Sequence, residues 1–203
     1  MHSEIFNQNQ MQLLPLMSGF KREFYLVGGT AVALHIGHRQ SIDFDMFKKS
    51  ELKIPKIISK ISESEYTHTV TRRVSEQLNL ILNKVKLTFF QYPFDIDTPC
   101  KYENVFKLPN LLTLAAMKAY ALGKRSKWKD YVDLYYILKN YHTVIQISEK
   151  ASAIYGDLFS EKLFRAQLCY FNDIDYSEPV EFLNEKPTEN EIKSFLTETT
   201  LNF

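Results

Sequence analysis

Between Phe24 and Phe47 the chain reads FYLVGGTAVALHIGHRQSIDFDMF, a run that leaves the backbone few choices. Phe24 to Val27 predicts a short buried strand, Gly28-Gly29 a tight turn, and Thr30 to Ile36 a short apolar helix stopped by Gly37. Ser41 to Phe47 alternates as a second strand, which would send Asp43 and Asp45 to one face while Ile42, Phe44 and Met46 fill the core side. Two carboxylates about 7 Å apart at their backbones repel unless a cation or water stands between them, and a hard cation such as magnesium or manganese takes oxygen ligands. The bare backbone at Gly28 and Gly29 lets a phosphate approach closely, beside the unpaired amides that open the following helix. Thr30 and Ser41 add hydroxyls, and Arg39, beside His38, lines the same cleft. Together these residues describe a site for a metal-bound nucleoside triphosphate. Taken singly, each has a plainer reading: a Gly-Gly pair is ordinary turn geometry, and two alternate aspartates are an exposed strand edge.

Composition narrows the classes. With 203 residues, 45% hydrophobic and 24% charged, the chain can bury a substantial core in one domain or two small ones. No apolar run approaches the ~18 to 20 residues of a membrane span, and the first residues lack the basic-then-apolar order of a signal peptide, so a cytoplasmic protein is expected. Cys100 and Cys169 lie far apart without metal-ligand spacing, which predicts reduced structural thiols. A net charge of +1 discriminates little, but Lys118, Lys124, Arg125, Lys127 and Lys129 form a basic stretch while the tail from Asp173 is acidic.

The texture changes near residue 105, dividing the chain into 1–105 and 106–203. In the first part, residues 4–19 and 54–61 read as helices, and 67–74, 78–82 and 85–90 as strands, the last two joined at Asn83-Lys84 like a tight hairpin. Pro93 and Pro99 mark the exit. Beyond Pro109 the periodicity is helical throughout, over 111–124, 129–140, 144–155, 161–171 and 189–197. The fold class is therefore α/β (α+β): a small mixed sheet with flanking helices, then a C-terminal helical bundle. Trp128, Tyr131, Tyr135 and Tyr136 sit at helical spacing, which reads as core more readily than as base-stacking surface.

The order of strand, Gly-Gly, helix and D-x-D strand is that of the polymerase-beta-like nucleotidyltransferases. LVGGTAVALHIGHRQSIDFDMF resembles, almost residue for residue, the AbiEii/AbiGii toxin family of nucleotidyltransferases, in which GGTALALHxGHRxSxDxDxF is typical. The second half carries Lys118-x6-Arg125-x3-Lys129-Asp130-x2-Asp133, and the same family has K-x6-R-x3-[KR]D-x2-D there. By itself this pattern is equally a solvated charged helix face. The resemblance implies that Lys118, Asp130 and Asp133 belong to the active site, with Lys118 meeting the charge that moves to the leaving pyrophosphate and Arg125 and Lys129 contacting phosphate or acceptor.

One departure stands out. Such enzymes usually carry a third carboxylate on a neighbouring strand, and here Thr88 falls at that place in Val85-Lys86-Leu87-Thr88-Phe89-Phe90. Either one magnesium suffices, with Asp130 or Asp133 assisting, or the protein binds a nucleotide without transferring it. Asp95 and Asp97 substitute only if their loop folds back. The resemblance implies a nucleoside triphosphate as substrate, an RNA acceptor such as transfer RNA, a separately encoded antitoxin, and no membrane. The rival readings are a nucleotide-binding module and an interaction protein with a vestigial site.

Overall fold

Asn7 begins the first helix with a reciprocal cap: its side chain accepts from the Gln10 amide at 2.9 Å while the Gln10 side chain accepts from the Asn7 amide at 3.1 Å. The helix so started, α1 (Gln8–Ser18), buries Gln10, Leu13, Leu14 and Met17 on one stripe. In this computed structural model, which describes residues 1–184 and 186–201, the chain separates into two compact units, Met1–Asn110 and Leu111–Phe203.

The first unit continues with β1 (Tyr25–Val27), α2 (Gly28–Ile36), β2 (Phe44–Lys48), α3 (Ile54–Ser62), β3 (His68–Val74), β4 (Gln77–Leu82) and β5 (Val85–Gln91). These strands form one sheet in the order β1-β2-β5-β4-β3, in which only β2 and β5 run parallel. That pair needs a long crossover, which α3, β3 and β4 supply. Side-chain alternation gives the sheet a sealed face and an open one. Phe44, Met46, Leu78, Leu80, Leu82, Val85, Leu87 and Phe89 are all fully buried on the sealed face, where Phe89 packs edge-on against Phe24 at 5.1 Å. Each such side chain contributes about 1.5–3 kcal/mol by leaving water. Asp45, Phe47, Asn79 and Gln77 alternate onto the other face and keep partial exposure.

Three local expectations are corrected. The second strand begins at Phe44 rather than Ser41, and Ile42 is 48% exposed instead of filling the core. The reason is that β1, its antiparallel partner, reaches only to Val27, which pairs with Asp45, so nothing holds residues 41–43 in the ladder. The apolar helix begins at Gly28, two residues before Thr30, because Gly28 takes φ +72° and turns directly out of β1. Beyond Pro93 lies a small hairpin that periodicity did not signal, β6 (Cys100–Tyr102) with β7 (Phe106–Leu108); three-residue strands are too short to show a period.

In the second unit, α4 (Leu111–Leu122), α5 (Trp128–Asn140), α6 (Val144–Tyr155), α7 (Glu161–Leu168) and α8 (Glu189–Leu201) pack as a bundle. α4 meets α6, where the Tyr120 and Tyr155 rings stack at 4.0 Å, and α5 meets α8 through Tyr135 and Phe195. Tyr131 and Tyr135 are core residues, as their spacing predicts. Among the described residues no helix is long and apolar enough to cross a membrane.

The Asn83-Lys84 connection closes β4 onto β5 with both residues at positive φ, +48° and +64°, the two-residue turn whose twist suits a hairpin. Holding a lysine there costs about 1–2 kcal/mol, of which glycine's greater unfolded entropy returns about half. Lys84→Gly is therefore expected to stabilise the first unit by about 0.5–1 kcal/mol in urea unfolding.

Candidate active site

Gly28 and Asp45 occupy one small space. A Cβ built on Gly28 would fall inside the Asp45 carboxylate, so only the bare Cα permits the approach, and the +72° φ independently favours glycine. The antiparallel register that pairs Val27 with Asp45 enforces this neighbourhood. Gly29 is equally constrained: a Cβ there would meet the Arg39 guanidinium and, at 3.2 Å, the Ser41 hydroxyl. Arg39 is almost wholly buried, its Nη1 donating to the Gln40 carbonyl at 2.9 Å.

Thr30 and Ser41 act as fasteners in this arrangement. The Thr30 hydroxyl bonds the Asp43 carbonyl and lies 2.9 Å from the Ser41 Oγ, and both residues are buried. With one proton each, Ser41 donates to Thr30 and Thr30 donates to Asp43. The start of α2 is thereby tied to the approach of β2. Gln10 completes the fastening, its Nε2 donating to the Ser41 carbonyl at 2.7 Å from a fully buried position. Sequence reasoning missed Gln10 as a support of the site; the Asn7-x-x-Gln10 capping signal was present, but the partner of its amide is thirty-one residues away.

Asp43 and Asp45 are both half-buried while Phe44 between them is sealed, and Asp43 immediately precedes the first residue of β2. Beside them α2 enters from Val27, which has no side chain able to cap it. The first-turn amides of a helix point outward with a positive partial charge. Two oxygen-rich side chains next to an uncapped helix start suit a hard divalent cation together with a phosphate. Across the parallel ladder Asp45 faces Thr88, so the register neighbour of the second acid is a neutral hydroxyl. Asp95 pairs with Lys49 at 2.5 Å. His35 donates to the Pro109 carbonyl at 2.9 Å, and burial holds its imidazole below the ordinary value, hence neutral.

In the second unit, Lys118 Nζ lies 2.7 Å from Asp130 and 2.6 Å from Asp133, with all three side chains buried. Arg125, half-exposed, donates from Nε to the other Asp130 oxygen at 3.0 Å. Burial pushes the Asp130 carboxyl up, but Lys118 and Arg125 together pull harder and leave it below its ordinary value. Two positive and two negative groups thus sum to zero charge. Lys129 stands apart from this cluster and pairs with Glu178 at 3.4 Å.

The chain matches the family model described as "Nucleotidyl transferase AbiEii toxin, Type IV TA system" over residues 16–200. An uncharacterised protein of Aquifex aeolicus is 30% identical over 162 residues, 76% of this chain and 77% of its own length. Among solved structures, the nucleotidyltransferase toxin MenT4 of Mycobacterium tuberculosis superposes with TM-score 0.65 at 13% identity, over 95% of this chain and 81% of that one. JHP933 of Helicobacter pylori does so with TM-score 0.56 at 15% identity, over 98% and 91%. At such identities the likeness is one of fold.

Removing Lys118 takes the buried ammonium from both carboxylates and leaves Arg125 on Asp130. Lys118→Met is expected to cost about 3–5 kcal/mol at neutral pH by denaturant unfolding. The pH dependence has opposite signs in the two proteins. In the wild type the depressed Asp130 value contributes stability above about pH 4 that is lost as pH falls through the folded value. In the variant the dominant influence left is burial, so acidification from about pH 7 to 5 should raise its stability relative to wild type.

Proposed function

Because the chain belongs to the AbiEii family of nucleotidyltransferase toxins of type IV toxin–antitoxin systems, we propose that it transfers a nucleoside monophosphate from a triphosphate to the hydroxyl of an RNA acceptor such as transfer RNA. The observation that carries this reading is the contact between the Asp45 carboxylate and the bare Cα of Gly28, which joins the acidic strand to the phosphate-binding turn. In the reaction, the acceptor oxygen bonds the α-phosphorus, the bond from that phosphorus to the bridging oxygen breaks, pyrophosphate leaves, and the acceptor proton passes to water. Asp43 and Asp45 would hold magnesium or manganese, which when bound would polarise the phosphoryl oxygens and neutralise developing charge. The amides of Gly28, Gly29 and Thr30 receive the phosphates. Ser41, Thr30, Gln10 and the buried Arg39 keep the turn and the acids in place.

Lys118 is the catalytic cation in this reading, with Asp130 and Asp133 setting its position and Arg125 and Lys129 contacting phosphate or acceptor. Its two carboxylate bonds mean that any phosphate must compete for it. The remaining partners are a cognate antitoxin and the cytoplasmic pool of RNA and nucleotide. Thr88 opposite Asp45 favours one second reading, a protein that binds the metal–nucleotide but transfers nothing, since a threonine hydroxyl is no base at neutral pH.

The two readings separate in a single assay. Each labelled triphosphate is incubated with magnesium, total RNA and either the wild type, Asp43→Ala or Asp45→Ala. Transfer predicts label on RNA from the wild type and a drop of at least ~100-fold in both variants. Magnesium-dependent nucleotide binding without label in any RNA fraction selects the second reading, and equal labelling by the variants removes the first. Gly28→Ala should behave like Asp45→Ala, because its methyl group displaces the carboxylate, while the backbone strain lowers the folded state's stability by only about 1–2 kcal/mol.

A further inference from the structure

On the open face of the sheet a single row of side chains runs from Asp45 to the far edge. Asp45 pairs with Thr88, Thr88 with Asn79, and Asn79 with Arg72. Residues directly opposite across strands present their side chains on one face, so these four form a continuous line. At about 4.8 Å per strand, the Arg72 backbone lies roughly 14 Å from that of Asp45.

The line is chemically uniform beyond Asp45. Thr88, buried to 9% exposure, carries a hydroxyl, half-buried Asn79 an amide and exposed Arg72 a guanidinium, and none of them carries negative charge. The Gln77 amide donates to Asn79 Oδ1 at 2.9 Å, which occupies the Asn79 acceptor and leaves its NH2 group as the donor available to a ligand. Arg72 is exposed on the edge strand and makes no ion pair among the described residues; Glu76, in the β3–β4 turn, is the acid that feels its charge. The opposite face of β4 holds Leu78, Leu80 and Leu82, all sealed.

The row also lies on the correct flank for one particular ligand. β1 and β5 border β2 on opposite sides, and the Gly28 turn that receives the departing phosphates is on the β1 side. In-line displacement brings the attacking oxygen from the side opposite the leaving group, which is the β5 side. We propose that Thr88, Asn79 and Arg72 form the acceptor subsite and that it takes a single-stranded stretch of RNA. Thr88 and Asn79 donate to the nucleotide bearing the reacting hydroxyl, and Arg72 holds a phosphate further along the strand. Four stacked nucleotides at about 3.4 Å each cover the row, and guanidinium–phosphate pairing is the strongest contact the row offers. This subsite rests on the transfer reading for its purpose, yet its occupancy is measurable without transfer.

The test uses the full chain and two fluorescent RNA probes, a dinucleotide and an oligonucleotide of about eight residues, long enough to pass Arg72. Arg72→Glu should weaken the longer probe at least ~10-fold and reduce its salt dependence by about one released counterion, while the dinucleotide is bound as by wild type. Arg73→Glu, the same charge change one residue on and on the other face of β3, should weaken the longer probe several-fold less. Asn79→Ala should weaken both probes. Magnesium-dependent thermal stabilisation by nucleoside triphosphates should be unchanged in all three variants, which separates this subsite from the nucleotide site. Equal losses for Arg72→Glu and Arg73→Glu, or none for either, would overturn the proposal, as would a wild type that labels protein and never RNA. A wild type that binds RNA along this row but transfers nothing would remove the transfer reading and leave the subsite standing.

Discussion

A carboxylate lodged where a side chain would otherwise begin is the constraint around which the first unit is arranged. For Asp45 to lie against Gly28, β1 must end at Val27 in register with Asp45, the chain must turn through a positive φ, and α2 must start at once. Each condition recruits support. Thr30 reaches the Asp43 carbonyl, Ser41 bonds Thr30, and Gln10 holds the Ser41 carbonyl from a helix at the other end of the segment. A buried hydrogen-bonded chain of this kind is stable only when every member is satisfied. That requirement explains why four polar side chains, Gln10, Thr30, Arg39 and Ser41, are sealed within an otherwise apolar neighbourhood.

Two of the chain's closely spaced acid pairs stand in different surroundings. Asp130 and Asp133 are buried and neutralised by Lys118 and Arg125, so their charge is matched within the second unit. Asp43 and Asp45 remain half-exposed at a strand end, beside the positive end of a helix and a neutral Thr88. A buried ion cluster mainly specifies one packing, since its desolvation cost absorbs most of its Coulomb energy.

Much of this was legible in advance because the informative residues are close in sequence. The strand, turn, helix and acidic strand fall within 24 positions, and their periods and glycines are local signals. The α+β class and the helical second half likewise followed from periodicity. What stayed hidden was long-range: the amide of Gln10 finding Ser41, the short β6–β7 hairpin, and the failure of Ile42 to reach the core. None of these has a local cause. Ile42 is exposed because pairing with β1 ends at Asp45 and pairing with β5 begins at Phe44, and strand length in one segment is invisible from another.

By itself the sequence determined which atoms are available: the two bare backbones, the alternate acids, the hydroxyls beside them, and a threonine in the fifth strand. Those are properties of residue type and spacing, set before folding. Only the tertiary structure decided their neighbours. It placed Thr88, Asn79 and Arg72 in one line with Asp45 because β5 pairs parallel to β2 and antiparallel to β4, a register chosen by burying the apolar residues on the opposite face. The polar row is the complement of that burial, so the side chains on this face are positioned by those on the sealed one.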